Sequence, residues 1–243
     1  MTFNNVSILV PYTSDNGIRE KNWTWLKKRY ELLMPDVEIC IGESTGFPYS
    51  RSEAINNAAR KATRDIFLIM DADVLFDIKD IEISINMLSD FKIVFPLSKY
   101  VKLDNHITKD IISNSPNIPI SEMKISTNNS KVFFNSYPPG KYKYIFVGAI
   151  CLIHRKQFEE CGGFDERFRG WGGEDDAFAH IAKYLYKNFG RPTNTTIYHL
   201  FHEKQPIINK YYQDNTLLLR QEYFESENLQ TTLDYLKKQN DYM

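Results

Sequence analysis

The chain predicts an α/β fold: a mostly parallel central sheet flanked by helices. Apolar runs of strand length lie at Val6–Val10, Val37–Ile41 and Ile66–Met70, and segments with helical apolar spacing fill the gaps between them. Strands alternating with helices through the first hundred residues make each return strand run parallel to the one before. The third run ends directly in Asp71-Ala72-Asp73, at the strand end that faces the ligand crevice in open α/β sheets.

Each element has its own local reason. The first strand stops at Pro11 and gives way to a polar loop, and a helix follows with Trp23, Leu26, Tyr30 and Leu33 on one face. After the second strand, Ser50 and Glu53 have capping-box spacing, and Ala54, Ala58 and Ala62 give the next helix a narrow packing face. Ile78, Ile81, Ile85 and Leu88 mark another helix, and Ile93–Phe95 a strand. Residues 100–143 are polar and rich in Asn, Ser and Lys; they predict an insertion or flexible flap with little regular structure, in which Val132–Phe134 can pair. A sheet strand returns at Tyr144–Ile153. A helix with Phe178, Ile181, Ala182 and Leu185 on one face runs to about Asn188, and a strand covers Thr195–Tyr198. Residues 207–240 are amphipathic and read as one or two surface helices. The chain thus divides into a main α/β domain, 1–205, and a helical extension packed on it, 206–243.

Composition narrows the function. With 243 residues, 42% hydrophobic and 14% aromatic, the chain is long enough to bury a substantial core. Thirty basic against 31 acidic residues leave a formal charge of −1, so no nucleic-acid partner is expected. Cys40, Cys151 and Cys161 are odd in number and widely spaced, which fits buried thiols in a reducing compartment and neither a zinc site nor a disulfide framework. No apolar leader and no membrane-length apolar run is present, so the expectation is a cytoplasmic protein, free or peripheral to the inner membrane face.

Residues 161–176, CGGFDERFRGWGGEDD, are the most informative stretch. They bring Trp171, the side-chain-free Gly172 and Gly173, and the acids Glu174, Asp175 and Asp176 to the start of a helix. Acids in a first turn complement the helix dipole and can cap its free N–H groups, which accounts for one or two of them. It does not account for a Trp-Gly-Gly lead-in, where bare backbone lets a flat ligand approach while an indole stacks on it. Asp71 and Asp73, two residues apart at a strand end, are hard oxygen ligands suited to Mg²⁺ or Mn²⁺ with a diphosphate. His199 and His202 follow the last strand, three apart, and converge on one ion if the chain turns there.

The segment GGFDERFRGWGGEDDAF resembles the C-terminal motif of the beta-1,4-galactosyltransferase group and of bacterial chondroitin-polymerase-type family 2 transferases, which are GT-A enzymes using UDP-sugars. The resemblance implies a GT-A fold and a metal-dependent, inverting transfer of a hexose or N-acetylhexosamine, galactose or N-acetylgalactosamine favoured, to a hydroxyl of a glycan or glycoconjugate. It implies Asp175 as general base, one that need not have a raised pKa, and Glu174 holding donor-sugar hydroxyls. Asp176 is read as a helix-start residue. Trp171 stacks on sugar faces, with Gly172, Gly173 and Gly148 beside the donor sugar. The family's Met-x-x-His pair on manganese falls on His199 and His202, so His199 departs from the pattern. An imidazole in place of a soft thioether widens the metal preference from Mn²⁺ toward Mg²⁺. Asp73, His202 and His199 are then the metal ligands, with Asp71 turned to the ribose or a metal-bound water. Pro11, Tyr12 and Thr13 line the nucleotide, Glu43 reaches base or ribose, and Tyr49-Ser50-Arg51 resembles the family's Phe-Asn-Arg, in which the arginine reaches the phosphates.

Other readings stay open at this level. A retaining GT-A transferase like the polypeptide N-acetylgalactosaminyltransferases shares the WGGE segment, but those enzymes usually carry Asp-x-His at the metal. A nucleotidyltransferase-like protein accounts for the aspartate pair and not for WGGEDD. A non-catalytic glycan-binding protein has no need of the full acidic set. Oligomeric state is not encoded in any of these patterns.

Overall fold

The computed structural model describes residues 2–126, 131–134, 147–203 and 208–241. In chain order its strands are β1 (Val6–Pro11), β2 (Glu38–Gly42), β3 (Ile66–Met70), β4 (Val74–Leu75), β5 (Ile93–Val94), β6 (Lys99–Lys102), β7 (Lys131–Phe134), β8 (Ile150–His154) and β9 (Thr196–His199). Its α-helices are α1 (Ile18–Leu33), α2 (Arg51–Lys61), α3 (Ile78–Asn86), α4 (Asn105–Ser113), α5 (Arg155–Glu160), α6 (Glu174–Tyr186), α7 (Asn209–Leu219) and α8 (Leu229–Gln239).

The central sheet has the order β2-β1-β3-β8-β5. The β1–β2 and β1–β3 pairs are parallel, as the strand–helix alternation requires, whereas β8 runs antiparallel to both of its neighbours. Alternate residues of each strand feed opposite faces. Ile8, Val10, Leu68 and Met70 pack with Trp23, Leu26 and Tyr30 of α1 on one side. On the other side Leu9, Phe67 and Ile69 meet Ile55 and Ala58 of α2, Phe178 and Ile181 of α6, and Leu233 and Leu236 of α8. Each fully buried Leu, Ile or Phe contributes about 1.5–3 kcal/mol, so this three-layer packing fixes the strand ends that carry the polar residues.

A second sheet, β4-β9-β6-β7, lies beyond the tip of β3 and was not foreseen from the sequence. It corrects the expectation of little regular structure after residue 100: β6 and α4 fall within that stretch. Asp104 caps α4 by accepting from the Ile107 N–H at 2.8 Å, and Thr108 and Ile111 are buried. The segment after α4 is held from α1, where Trp25 Nε1 donates to the Asn114 carbonyl and Arg29 to those of Pro116 and Ile118. A polar average had hidden a few apolar positions at helical spacing. The expected start of a strand at Tyr144 lies outside the described residues; β8 begins at Ile150.

The C-terminal helices are more than surface. Tyr223, Leu233 and Leu236 are buried in the core, and the Tyr223 hydroxyl donates to Asp165, itself 3% exposed. No helix among the described residues is long and apolar enough to cross a membrane.

The narrow alanine face of α2 has a structural purpose. A Cβ on Gly42, at the end of β2, would meet the Ala54 carbonyl oxygen at 1.8 Å and the Ala58 nitrogen at 2.6 Å. Backbone cannot yield as a side chain can, so Gly42→Ala is expected to lower stability by about 1–3 kcal/mol. Urea denaturation midpoints compared with those of Gly17→Ala, where only the Asp15 carboxylate is near, check this.

Candidate active site

Three elements deliver the polar side chains to one place. The β3 strand runs into Asp71 and Asp73; α2 begins with Arg51; α6 begins with Glu174 and Asp175. Ser50 caps α2 by accepting from the Glu53 N–H at 3.2 Å, which orients the first turn and with it Arg51. Only half of the anticipated capping box forms, because the Glu53 carboxylate turns instead to Ser44 Oγ, at 2.7 Å, and Thr45 Oγ1.

Arg51 is the hub. Its Nε lies 2.7 Å from Asp71 Oδ1, and one terminal nitrogen lies 2.6 Å from Asp175 Oδ1 and 3.7 Å from Glu174 Oε1. Burial opposes its charge, but Asp175, Asp71 and Glu174 more than offset that and hold its pKa well above the ordinary value. Burial pushes Asp175 up to about 7, even against Arg51, and pushes Asp176 up to about 6. Glu174 is raised by the same cause. Burial at the α6 tip thus raises the base candidate, which the proposed role allows but does not require. Gly173 caps α6 without a side-chain bond, and of the three first-turn acids Glu174 and Asp175 face Arg51.

The second cluster surrounds Asp73, which is 1% exposed. Val74 pairs with His199 across β4 and β9, and the Leu200 N–H donates to the Asp73 carbonyl, so the register of the second sheet sets the histidines beside the aspartate. His199 Nε2 lies 3.2 Å from Asp73 Oδ1 and His202 Nε2 3.1 Å from Oδ2. Burial would raise the Asp73 carboxyl, yet the facing His199, the hydrogen bond with His202 and the charge of Arg19 hold it below the usual carboxylate range.

This donor set fits a divalent cation. One carboxylate and two imidazoles bring ligand atoms within 4.8 Å of one another; ligands held at roughly 2.1 Å from one ion stand about 3–4 Å apart, so the set has to contract only slightly to close on a cation. Asp73 Oδ1 is buried without a hydrogen bond among the described residues. The His202 Nδ1 lies 2.9 Å from the Glu203 carbonyl, and donation there leaves Nε2 as the ligand atom.

The remaining sequence candidates distribute unevenly. Pro11 and Tyr12 close β1 beside α1, Thr13 is exposed, and the Tyr12 ring lies 6.0 Å from Trp23. Tyr49 faces the clusters: burial pushes its hydroxyl up to about 12, partly offset by Arg19 and Arg51, and the hydroxyl makes no hydrogen bond. Glu43 is exposed, and its backbone carbonyl accepts from the Asn57 side chain at 2.8 Å. Gly148 is followed by Ala149, whose carbonyl accepts the Asp71 N–H at 2.9 Å and whose φ of 71° is a left-handed conformation alanine rarely adopts. Trp171 is 64% exposed and stacks on Tyr212. The bare-backbone reading of the glycines needs amendment: Gly173 has φ 99° and a Cβ there would meet the Phe168 ring at 2.7 Å, so conformation and packing already demand glycine.

Arg19 was missed. Asp15 accepts from the N–H groups of Gly17, Arg19 and Glu20 and so starts α1, placing Arg19 Nε 3.8 Å from Asp73 Oδ2. That buried Nε makes no hydrogen bond among the described residues. Nothing in the sequence distinguishes this arginine from the other basic residues of an amphipathic helix.

In the metal-free protein the Asp73 hydrogen bond raises His202, so the pair stabilises the fold fully below about pH 6.5 and loses that contribution as pH rises through the elevated value. Wild type minus His202→Gln melting temperatures should therefore be larger near pH 6 than near pH 8.5. Added Mn²⁺ should reverse the trend, since the ion competes with the proton for Nε2. Thermal shifts with and without Mn²⁺ at both pH values measure this.

A family model described as glycosyltransferase like family 2 matches residues 37–211. Mouse beta-1,4-galactosyltransferase 7 is 35% identical over 91 residues, covering 37% of this chain and 28% of that protein, and the human counterpart matches equally. The match thus spans little more than a quarter of the length of these curated relatives. Among solved structures, Staphylococcus aureus TarS 1–349 in complex with UDP-GlcNAc aligns over 99% of this chain and 71% of its own, with 12% identity and a TM-score of 0.50. GalNAc-T7 with UDP, GalNAc and Mn²⁺ aligns over 98% and 48%, with 14% identity and a TM-score of 0.53. At such identities the structural matches show a shared fold, the GT-A fold.

Proposed function

Because the chain belongs to the glycosyltransferase-like family 2, we propose that it transfers galactose or N-acetylgalactosamine from a UDP-sugar to a hydroxyl of a glycan or glycoconjugate, with inversion, at the cleft between Arg51 and Asp73. The observation that carries this reading is the Arg51 guanidinium bridging Asp71 of the strand tip to Asp175 of the α6 tip, next to the Asp73–His199–His202 cluster. Donor pyrophosphate and acceptor hydroxyl need those two halves side by side. The curated galactosyltransferase relatives, and neighbours solved with UDP-GlcNAc or with UDP and Mn²⁺, support the same donor class.

The roles follow from the chemistry of each group. Asp73, His199 and His202 hold Mn²⁺, which when bound supplies a Lewis acid for the diphosphate leaving group. Arg51 and Arg19 are the cations this chain itself contributes to the phosphates, and Tyr49 with Pro11, Tyr12 and Thr13 frames the nucleotide. Entering phosphates compete with Asp71 and Asp175 for Arg51. Asp175, kept beside the Arg51 guanidinium, is positioned to take the acceptor proton as the oxygen bonds to the sugar C1 and the bond to UDP breaks. Its pKa near 7 suits a general base at neutral pH. Glu174 holds donor-sugar hydroxyls.

Release of UDP from a panel of UDP-sugars, with and without glycan acceptors, tests the reading; absence of release with every donor in the presence of Mn²⁺ would refute it. Asp175→Asn should lower the transfer rate by a factor of about 10²–10⁴ and leave UDP affinity within about twofold, since amide and carboxylate share a shape. Near-wild-type turnover in that variant would remove Asp175 from the role of base. With a second imidazole as ligand, activity should persist when Mg²⁺ replaces Mn²⁺, and a metal titration showing Mn²⁺ dependence alone would contradict that assignment.

A further inference from the structure

The turn that carries both imidazoles is fastened one backbone group at a time, each to a different element. Where β9 ends, the His199 carbonyl accepts from the Leu103 N–H, just past β6, at 2.9 Å. The Leu200 N–H donates to the Asp73 carbonyl at 2.8 Å. The Phe201 N–H donates to Thr108 Oγ1 of α4 at 2.8 Å, and the Phe201 carbonyl accepts from Asn22 Nδ2 of α1 at 2.9 Å. These last two contacts come from side chains deep in the protein: Asn22 is 0% and Thr108 1% exposed. Asn22 shares its helix face with Leu26, and Thr108 shares its own with Ile111, so an apolar residue would pack at either position without the cost of burying a polar group. The Asn22 Oδ1 is buried without a hydrogen bond among the described residues, so the amide is kept in the core for what its nitrogen holds.

We infer that Asn22 and Thr108 are positioning residues of the Asp73–His199–His202 site: by gripping Phe201 on both sides they present His202 Nε2 to a divalent cation and so set the affinity for that ion. The Phe201 carbonyl belongs to the peptide plane that ends at the His202 Cα, and the Phe201 N–H belongs to the plane before it. With both planes held, His202 keeps only its side-chain torsions, and the contact of its Nδ1 with the Glu203 carbonyl at 2.9 Å orients the ring. Every one of these bonds is made between protein groups, so the fold itself holds Nε2 at 3.1 Å from Asp73 Oδ2. A ligand held in place spares the ordering cost that a loose one meets on binding, and hydrogen bonds behind metal ligands typically tune affinity by about 10–100-fold. Helix α1 meets the cluster at two points one turn apart, Asn22 on the turn and Arg19 beside Asp73. Helix α4, which the polar average of its sequence concealed, meets it at Thr108. The inference rests on the proposed cation site, and it adds which residues outside the ligand set govern how tightly that site closes.

Mn²⁺ alone is the probe, titrated into the protein and followed by loss of the electron paramagnetic resonance signal of the free ion. The wild type should bind it, and Asp73→Asn should abolish that binding. Thr108→Val matches threonine in shape but lacks the acceptor oxygen, and it should weaken Mn²⁺ by about tenfold or more, as should Asn22→Leu. Thr108→Ser keeps the oxygen and should keep the wild-type affinity. Ile111→Val, on the same face of α4, should lower the melting temperature and leave Mn²⁺ affinity unchanged. Wild-type affinity in both Thr108→Val and Asn22→Leu would overturn the inference. So would an equal loss of affinity in Ile111→Val or Thr108→Ser, which marks a general loss of structure. If Asn22→Leu does not fold, the contrast between Thr108→Val and Thr108→Ser decides alone. A wild type that binds Mn²⁺ only when UDP is present overturns the inference and leaves the cation site standing, whereas one that binds none with or without UDP removes both.

Discussion

A single guanidinium organises the cleft. Three carboxylates, Asp71, Glu174 and Asp175, approach one another from a strand end and a helix start. Without a cation between them their repulsion and burial would drive them to neutralise or to move apart. Arg51 provides that cation, and its place depends on α2 beginning where it does. The Ser50 cap and the close fit of Gly42 against Ala54 and Ala58 therefore bear on the site as directly as the charged groups do. Breaking a buried ionic set by removing one partner typically costs about 3–5 kcal/mol, so the same contacts that serve chemistry also hold α6 against the sheet.

The Asp73–His199–His202 cluster depends on a different constraint, the register of the small second sheet. His199 stands opposite Val74 because β9 runs antiparallel to β4, and the chain turns after His199 so that His202 reaches the other oxygen of Asp73. A slip of one residue in that pairing would send His199 to the opposite face. Four short strands and the α4 segment tethered to α1 therefore decide whether an aspartate and two imidazoles form one donor set or three isolated polar groups.

Much of this could be read in advance, and the misses share a cause. The β1–α1–β2–α2–β3 order, the Asp71/Asp73 strand end and the acid-tipped α6 were evident because periodicity and punctuation are local properties of sequence. Arg19, Asn22 and Thr108 were not, because each meets a partner more than forty residues away. The stretch after residue 100 was misjudged because its polar average concealed buried Leu103, Thr108 and Ile111. Glu53 had the spacing of a capping box, yet its carboxylate is drawn to Ser44 and Thr45. Sequence spacing lists the partners a residue can have, and the fold chooses among them.

The sequence by itself determined the α/β class, the residue types of the site and the family resemblance, because these rest on short-range patterns and on a seventeen-residue motif. Only the tertiary structure decided that Arg51 joins Asp71 to Asp175, that burial pushes Asp175 up, and that α7 backs Trp171. Those are properties of burial and of through-space distance between segments far apart in the chain. Both are set by how helices and strands pack, and neither is written in the order of residues along any one segment.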